Sequence, residues 1–69
     1  MASNLKPASA RVMIVEGEVS IRTIAAEKLR QVGLSVVEAA NSEEASLYLN
    51  AGAPVDLVFR DIQVSDLDG

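Results

Sequence analysis

The stretch LVFRDI, residues 57–62, decides how this 69-residue chain is interpreted. It begins as an apolar run typical of a buried strand and ends with a carboxylate. A carboxylate in the middle of a buried strand is costly unless it is paired. One at the end of a strand lies instead at the rim of the sheet, where parallel α/β sheets place their ligand sites. Asp61 is therefore the first candidate for chemistry.

The composition limits the classes of protein and site. Apolar residues make up 49% of the chain and the net charge is −4, with no basic cluster, so nucleic-acid binding is not expected. Cysteine and histidine are both absent from the sequence, which excludes disulfides, thiolate nucleophiles, Cys/His zinc sites and His-based triads. No apolar segment approaches the roughly 18 residues of a membrane span, and residues 1–10 lack the apolar core of a signal peptide. We expect a cytoplasmic protein that does not contact a membrane.

Three apolar stretches predict strands at residues 12–15, 34–39 and 55–62, after a flexible N-terminal tail at residues 1–10. Between them, apolar spacing predicts two helices. Gly33 is expected to end the first helix and Asn41 to cap the second. The predicted buried face of the first helix is Ile21, Ile24, Ala25, Leu29 and Val32, with Arg22 among the residues on the solvent side. The predicted buried face of the second is Ala45, Tyr48 and Leu49.

The resulting β-α-β-α-β order predicts a parallel three-stranded sheet of order 2-1-3, which is half of a doubly wound α/β domain spanning residues 11–69. In that sheet the first and third strands are neighbours, so Glu16-Gly17-Glu18 would lie beside Asp61. This group of acids has two interpretations, and the residues alone leave both open. It is either a site for a hard divalent cation such as Mg²⁺ or a set of solvated acids at loop ends.

Several segments together resemble the receiver domain of two-component response regulators. They are RVMIVEGE (residues 11–18), the helix beginning near Ile21, VVEAANSEEA (36–45), DLVFRDI (56–62) and LDG (67–69). The resemblance runs through the N-terminal half of a receiver. It implies a truncated flavodoxin-like (CheY-like) fold.

The resemblance also implies residue roles. Asp61 would be the phosphoacceptor, receiving a phosphoryl group from a histidine kinase or a phosphotransfer protein, and the module would not be an enzyme with a substrate of its own. Mg²⁺ would be held by Glu16, Asp61 and the backbone carbonyl of Gln63. The family's acidic pair falls on Glu16 and Gly17, so the pair is degenerate and Mg²⁺ binding is expected to be weak or lost.

Two departures from the receiver pattern keep alternatives open. Arg60 stands where an apolar or small residue is usual, and the hydroxyl residue and lysine of a receiver's second half are absent from this sequence. A third strand with an open apolar edge is unfavourable in a monomer, so we expect a homodimer that completes the sheet. The alternatives are a phosphorylation-independent dimerisation or interaction module (a pseudo-receiver) and a fragment of a longer response regulator.

Overall fold

A computed structural model describes residues 10–60 of the chain. The elements follow in the order β1 (Arg11–Val15), α1 (Val19–Gln31), β2 (Ser35–Ala39), α2 (Ser42–Asn50) and β3 (Leu57–Arg60). This alternation confirms the α/β class predicted from the sequence. Within the described range no helix is long and apolar enough to cross a membrane.

The three strands form one parallel sheet of order β2-β1-β3, as predicted. In the register, Met13 lies opposite Val37 of β2 and Val58 of β3. Strand β1 is central because Val12–Val15 is apolar throughout, and all four of these residues are buried. Strand β2 carries Glu38 and lies at an edge, where a charged side chain can reach solvent.

The sheet is covered by one helix on each face, and β1 contributes side chains to both cores because strand residues alternate between faces. On the α2 side the buried residues are Met13, Val15, Ala39 and Ala45. On the α1 side they are Ile14, Ala25 and Ala26. Both helices pack over β1 and β2, and within residues 10–60 neither lies over β3.

The buried face of α1 differs from the predicted one by about one position. The sheet side carries Ala25 and Ala26, with Leu29 packed against them, whereas Ile24 is 44% exposed and Val32 is 73% exposed. The two alanines allow the helix to approach the sheet closely, and this rotates Ile24 outwards. Val32 lies after the last helical turn, whose end is marked by Gly33 at φ +96°.

Helix α2 begins as the sequence predicts. The side chain of Asn41 accepts a hydrogen bond from the backbone N–H of Glu44 at 2.8 Å, and the Glu44 carboxylate accepts one from the N–H of Ala40 at 2.8 Å. This reciprocal pair resembles a capping box. Ala45 is buried and Tyr48 packs against the core, but the prediction for Leu49 was wrong, since this residue is exposed.

Strand β3 starts two residues later than predicted, because Asp56 is used to join the start of β1. Its carboxylate accepts a hydrogen bond from the N–H of Arg11 at 2.7 Å, and its own N–H donates to the Arg11 carbonyl at 2.8 Å. The predicted end of the strand, residues 61 and 62, lies outside the described residues. The apolar side chains of β3 are 53%, 40% and 38% exposed at Leu57, Val58 and Phe59.

Candidate functional site

The acidic loop, residues 16–18, connects the carboxyl end of β1 to the start of α1. The N–H of Glu16 donates to the Ala39 carbonyl at 3.0 Å, which extends the contact between β1 and β2 by one residue. The Glu16 carboxylate accepts a hydrogen bond from the N–H of Glu18 at 3.0 Å. Glu18 is the N-cap residue of α1, so the Glu16 carboxylate lies at the positive end of that helix.

Glu18 does not use its side chain to cap α1, and it is exposed. Glu18 follows Gly17 directly, so its carboxylate is a candidate to replace the second acid of the receiver pattern. In the structure it supplies its backbone N–H to Glu16. Among residues 10–60, no three acidic, histidine or cysteine side chains form a group that could hold a metal ion.

Gly17 is not required by the backbone. The glycines with positive φ are Gly33 and Gly52, so the conformation at Gly17 is open to other residues. A Cβ atom built on Gly17 would meet the Ala40 carbonyl oxygen at 3.6 Å, an ordinary van der Waals contact. The glycine at this position of the receiver pattern is therefore a difference of chemistry rather than a requirement of the backbone.

A partly buried cation, Arg22, which sequence reasoning placed in solvent, lies behind the acidic loop. The side chain of Arg22 is only 16% exposed, and its Nη1 donates to the Glu16 carbonyl at 2.7 Å. Its Nε lies 3.4 Å from a carboxylate oxygen of Glu38 on β2. Arg30 reaches the other oxygen of Glu38 at 3.4 Å and also donates to the Val36 carbonyl at 3.1 Å.

The apolar periodicity of α1 could not find this cluster, because a charged side chain was assigned to the solvent face. The sequence does contain one signal. Arg22 lies three residues before Ala25, on the same face of the helix, and an acid, Glu38, lies inside the second strand. Glu38 alternates with Val36 and therefore shares the α1 face of the sheet.

At the end of β3, Arg60 finds a polar partner on α2. Its Nη2 donates to the hydroxyl of Ser42 at 2.9 Å, in an exposed position. Arg60 lies opposite Val15 in the register, so both side chains are on the α2 face. Asp61 and Gln63, the other predicted site residues, lie outside the described part of the chain, and their roles stay predictions.

A known protein is similar to this chain in sequence. No protein-family model and no solved structure matches the chain. A protein of Cyanophora paradoxa described as "Probable transcriptional regulator ycf27" is 37% identical over 59 residues. The aligned part is 86% of this chain and 24% of the relative, so the chain spans about a quarter of the length of that protein. This weak similarity to part of a transcriptional regulator is compatible with the receiver resemblance of the sequence at the level of the family.

Proposed function

We propose that this chain is the receiver module of a two-component phosphorelay, with Asp61 as its phosphoacceptor. The observation that carries the proposal is the register of β1 and β3, in which Val15 lies opposite Arg60. These are the residues directly before Glu16 and Asp61. A receiver requires an acid after its first strand and an acceptor aspartate after its third, and the two neighbouring strands lead into those residues.

The reaction is a transfer between a partner's phosphohistidine and a carboxylate. An oxygen of Asp61 forms a bond to phosphorus, the bond from phosphorus to the histidine nitrogen breaks, and the imidazole leaves with the electron pair of that bond. The donor is a histidine kinase or a phosphotransfer protein in the cytoplasm. The chain accepts the group without being an enzyme for a substrate of its own. With its net charge of −4, it does not itself bind nucleic acid.

Mg²⁺ would reduce the repulsion between the anionic phosphoryl group and the acceptor carboxylate. The Glu16 carboxylate is the kind of oxygen donor that Mg²⁺ prefers, and Asp61 with the Gln63 carbonyl would complete the set. Gly17 supplies no carboxylate and Glu16 already accepts the Glu18 N–H. With Glu16 as the one carboxylate donor among the described residues, we expect a weak site rather than a tight one.

The proposal is tested by chemical phosphorylation. The chain is incubated with acetyl phosphate and Mg²⁺, or with beryllofluoride, and the modified residue is located by mass spectrometry. We expect an adduct on Asp61 that is absent from the Asp61→Asn variant. If the wild-type chain remains unmodified under conditions that modify a complete receiver, the phosphoacceptor role is refuted.

A second candidate function is a phosphorylation-independent association module, which the exposure of β3 favours. Leu57 and Phe59 lie on the α1 face of the sheet, opposite Val12 and Ile14 in the register, and neither helix covers them. Such an uncovered strand suits pairing with a second copy of the chain in a homodimer or, if the chain is a fragment of a longer response regulator, with the rest of that protein.

Light scattering over a dilution series measures the molar mass of the chain and so distinguishes a homodimer from a monomer. If the chain is only an association module, the wild type and the Asp61→Asn variant should dimerise equally well. Phe59→Arg should weaken the dimer. Thr23→Arg is the matched control, since Thr23 is an exposed residue of α1. A folded monomer at micromolar concentration would contradict the homodimer.

A further inference from the structure

Arg22 occupies an unusual place for a guanidinium in such a small fold. It belongs to the fourth position of α1 but shares a helix face with Ala25, Ala26 and Leu29, which pack on the sheet. A charge that is largely withdrawn from water needs partners with good geometry. Arg22 has two, the Glu38 carboxylate at 3.4 Å and the Glu16 carbonyl at 2.7 Å.

The contact with Glu16 falls on the residue that carries the candidate metal-binding carboxylate. Three groups of Glu16 are held at once. Its N–H bonds to Ala39, its carbonyl accepts from Arg22, and its carboxylate accepts from the N–H of Glu18. The hydrogen bond from Arg22 is short and charge-assisted, the stronger class of such bonds. Without it, the peptide between Glu16 and Gly17 would lose its only side-chain anchor among the described residues.

We propose that Arg22 is a positioning residue for the acidic loop and that Glu38 is the counter-ion that holds Arg22 in place. In this proposal Arg22 acts through the backbone: its hydrogen bond to the Glu16 carbonyl fixes the segment from which the Glu16 carboxylate projects. The part of this inference that concerns Mg²⁺ rests on the proposed function. The part that concerns the loop can be measured without metal.

The chain offers a matched pair of variants for the test. Arg22→Met and Arg30→Met each remove one ion pair with Glu38 and one hydrogen bond to a backbone carbonyl. The carbonyl belongs to the acidic loop in the first case and to Val36 of β2 in the second. A difference between the variants at the loop therefore reports positioning rather than a general loss of charge pairs.

The first readout is the solvent exchange of the Glu18 amide N–H in metal-free buffer, measured by NMR. Arg22→Met is expected to speed this exchange by about 3- to 10-fold, the loss of roughly one net hydrogen bond, while Arg30→Met leaves it unchanged. The second readout is the Mg²⁺ affinity, followed through backbone amide shifts of the loop. Supporting groups behind metal ligands typically contribute about 10- to 100-fold to affinity, and because this site is expected to be weak, Arg22→Met alone should lose detectable Mg²⁺ binding.

The outcomes separate the two proposals. If the Glu18 amide exchanges at the same rate in Arg22→Met and in the wild type, the positioning role is overturned, regardless of the result for Mg²⁺ affinity. A wild-type chain that binds no Mg²⁺ overturns the metal site of the proposed function, while the exchange comparison still decides the role of Arg22. If Arg22→Met does not fold, Arg22→Lys and Glu38→Gln replace it. Each weakens one of the two contacts, and unchanged exchange in both overturns the inference.

Discussion

Restoring a carboxylate at position 17 is the most informative single change. The structure predicts that Gly17→Asp folds, because the new Cβ would lie 3.6 Å from the Ala40 carbonyl and the backbone has no positive φ there. Two carboxylates at a separation of about 7 Å would repel each other by about 0.6 kcal/mol in water, and we take this as the cost per acidic neighbour. The unfolded chain carries the same three adjacent acids, so the net cost is smaller. Replacing a glycine at an unstrained position gains about 0.4–1 kcal/mol.

The free energy of unfolding of Gly17→Asp without metal is therefore expected within about 1 kcal/mol of the wild-type value. With Mg²⁺ the two proteins should differ. If the restored pair binds with a dissociation constant of about 1 mM, then about 10 mM Mg²⁺ stabilises the folded state by about 1.4 kcal/mol. In a domain of this size that raises the melting temperature by roughly 6–11 °C.

The assay is thermal unfolding followed by circular dichroism, with and without Mg²⁺. Gly17→Asn is the matched control, since it adds a side chain of the same shape without the charge. A Mg²⁺-dependent shift in the Asp variant but not in the Asn variant supports a metal site at the acidic loop. Equal responses of the two variants would refute the assignment of Gly17 to the acidic pair. If the free energy of unfolding falls by several kcal/mol in both variants, the argument that a side chain fits at position 17 is refuted.

Three further predictions concern the fold and are measured by urea unfolding. Asn41→Ala removes the hydrogen bond to the Glu44 N–H and should cost about 1 kcal/mol; an unchanged midpoint would mean that the cap contributes nothing. Gly33→Ala forces a side chain into φ +96° and should cost about 1–3 kcal/mol, and a stabilised variant would contradict the observed turn. Ala26→Leu overfills the contact between α1 and the sheet and should cost about 1–3 kcal/mol. In the exposed control Thr23→Leu, the free energy of unfolding should stay within about 0.5 kcal/mol of the wild-type value. If Ala26→Leu and Thr23→Leu have equal effects, the buried face of α1 lies elsewhere.

Much of the fold could be predicted from the sequence because its signals are local. The apolar run of β1, the glycine after α1 and the Asn41 cap each act over a few residues, and the alternation of strands and helices then leaves few topologies. The buried face of α1 was misplaced for the opposite reason. Periodicity counts Arg22 as a solvent-facing residue, and nothing near it in the chain announces that Glu38, sixteen positions later, will pair with it.

The candidate site was predictable in part. The position of Glu16 after a central strand follows from the order of elements, and the structure confirms that placement. The hydrogen bond that turns its carboxylate back to the Glu18 N–H does not follow from residue types, because it depends on the conformation of the loop. The role of Asp61 remains a prediction from the receiver resemblance.

The placement of β3 has a thermodynamic consequence. This strand of four residues pairs with β1 alone, its one described hydrogen bond to a helix is the exposed one from Arg60 to Ser42, and neither helix packs over it within residues 10–60. It should therefore open at a lower free energy than the rest of the sheet. The chain passes from β3 directly into Asp61. Under the proposed function, any molecule that binds and stabilises this strand would also favour the arrangement that accepts a phosphoryl group. By reciprocity, phosphorylation would tighten the binding of that molecule by the same factor.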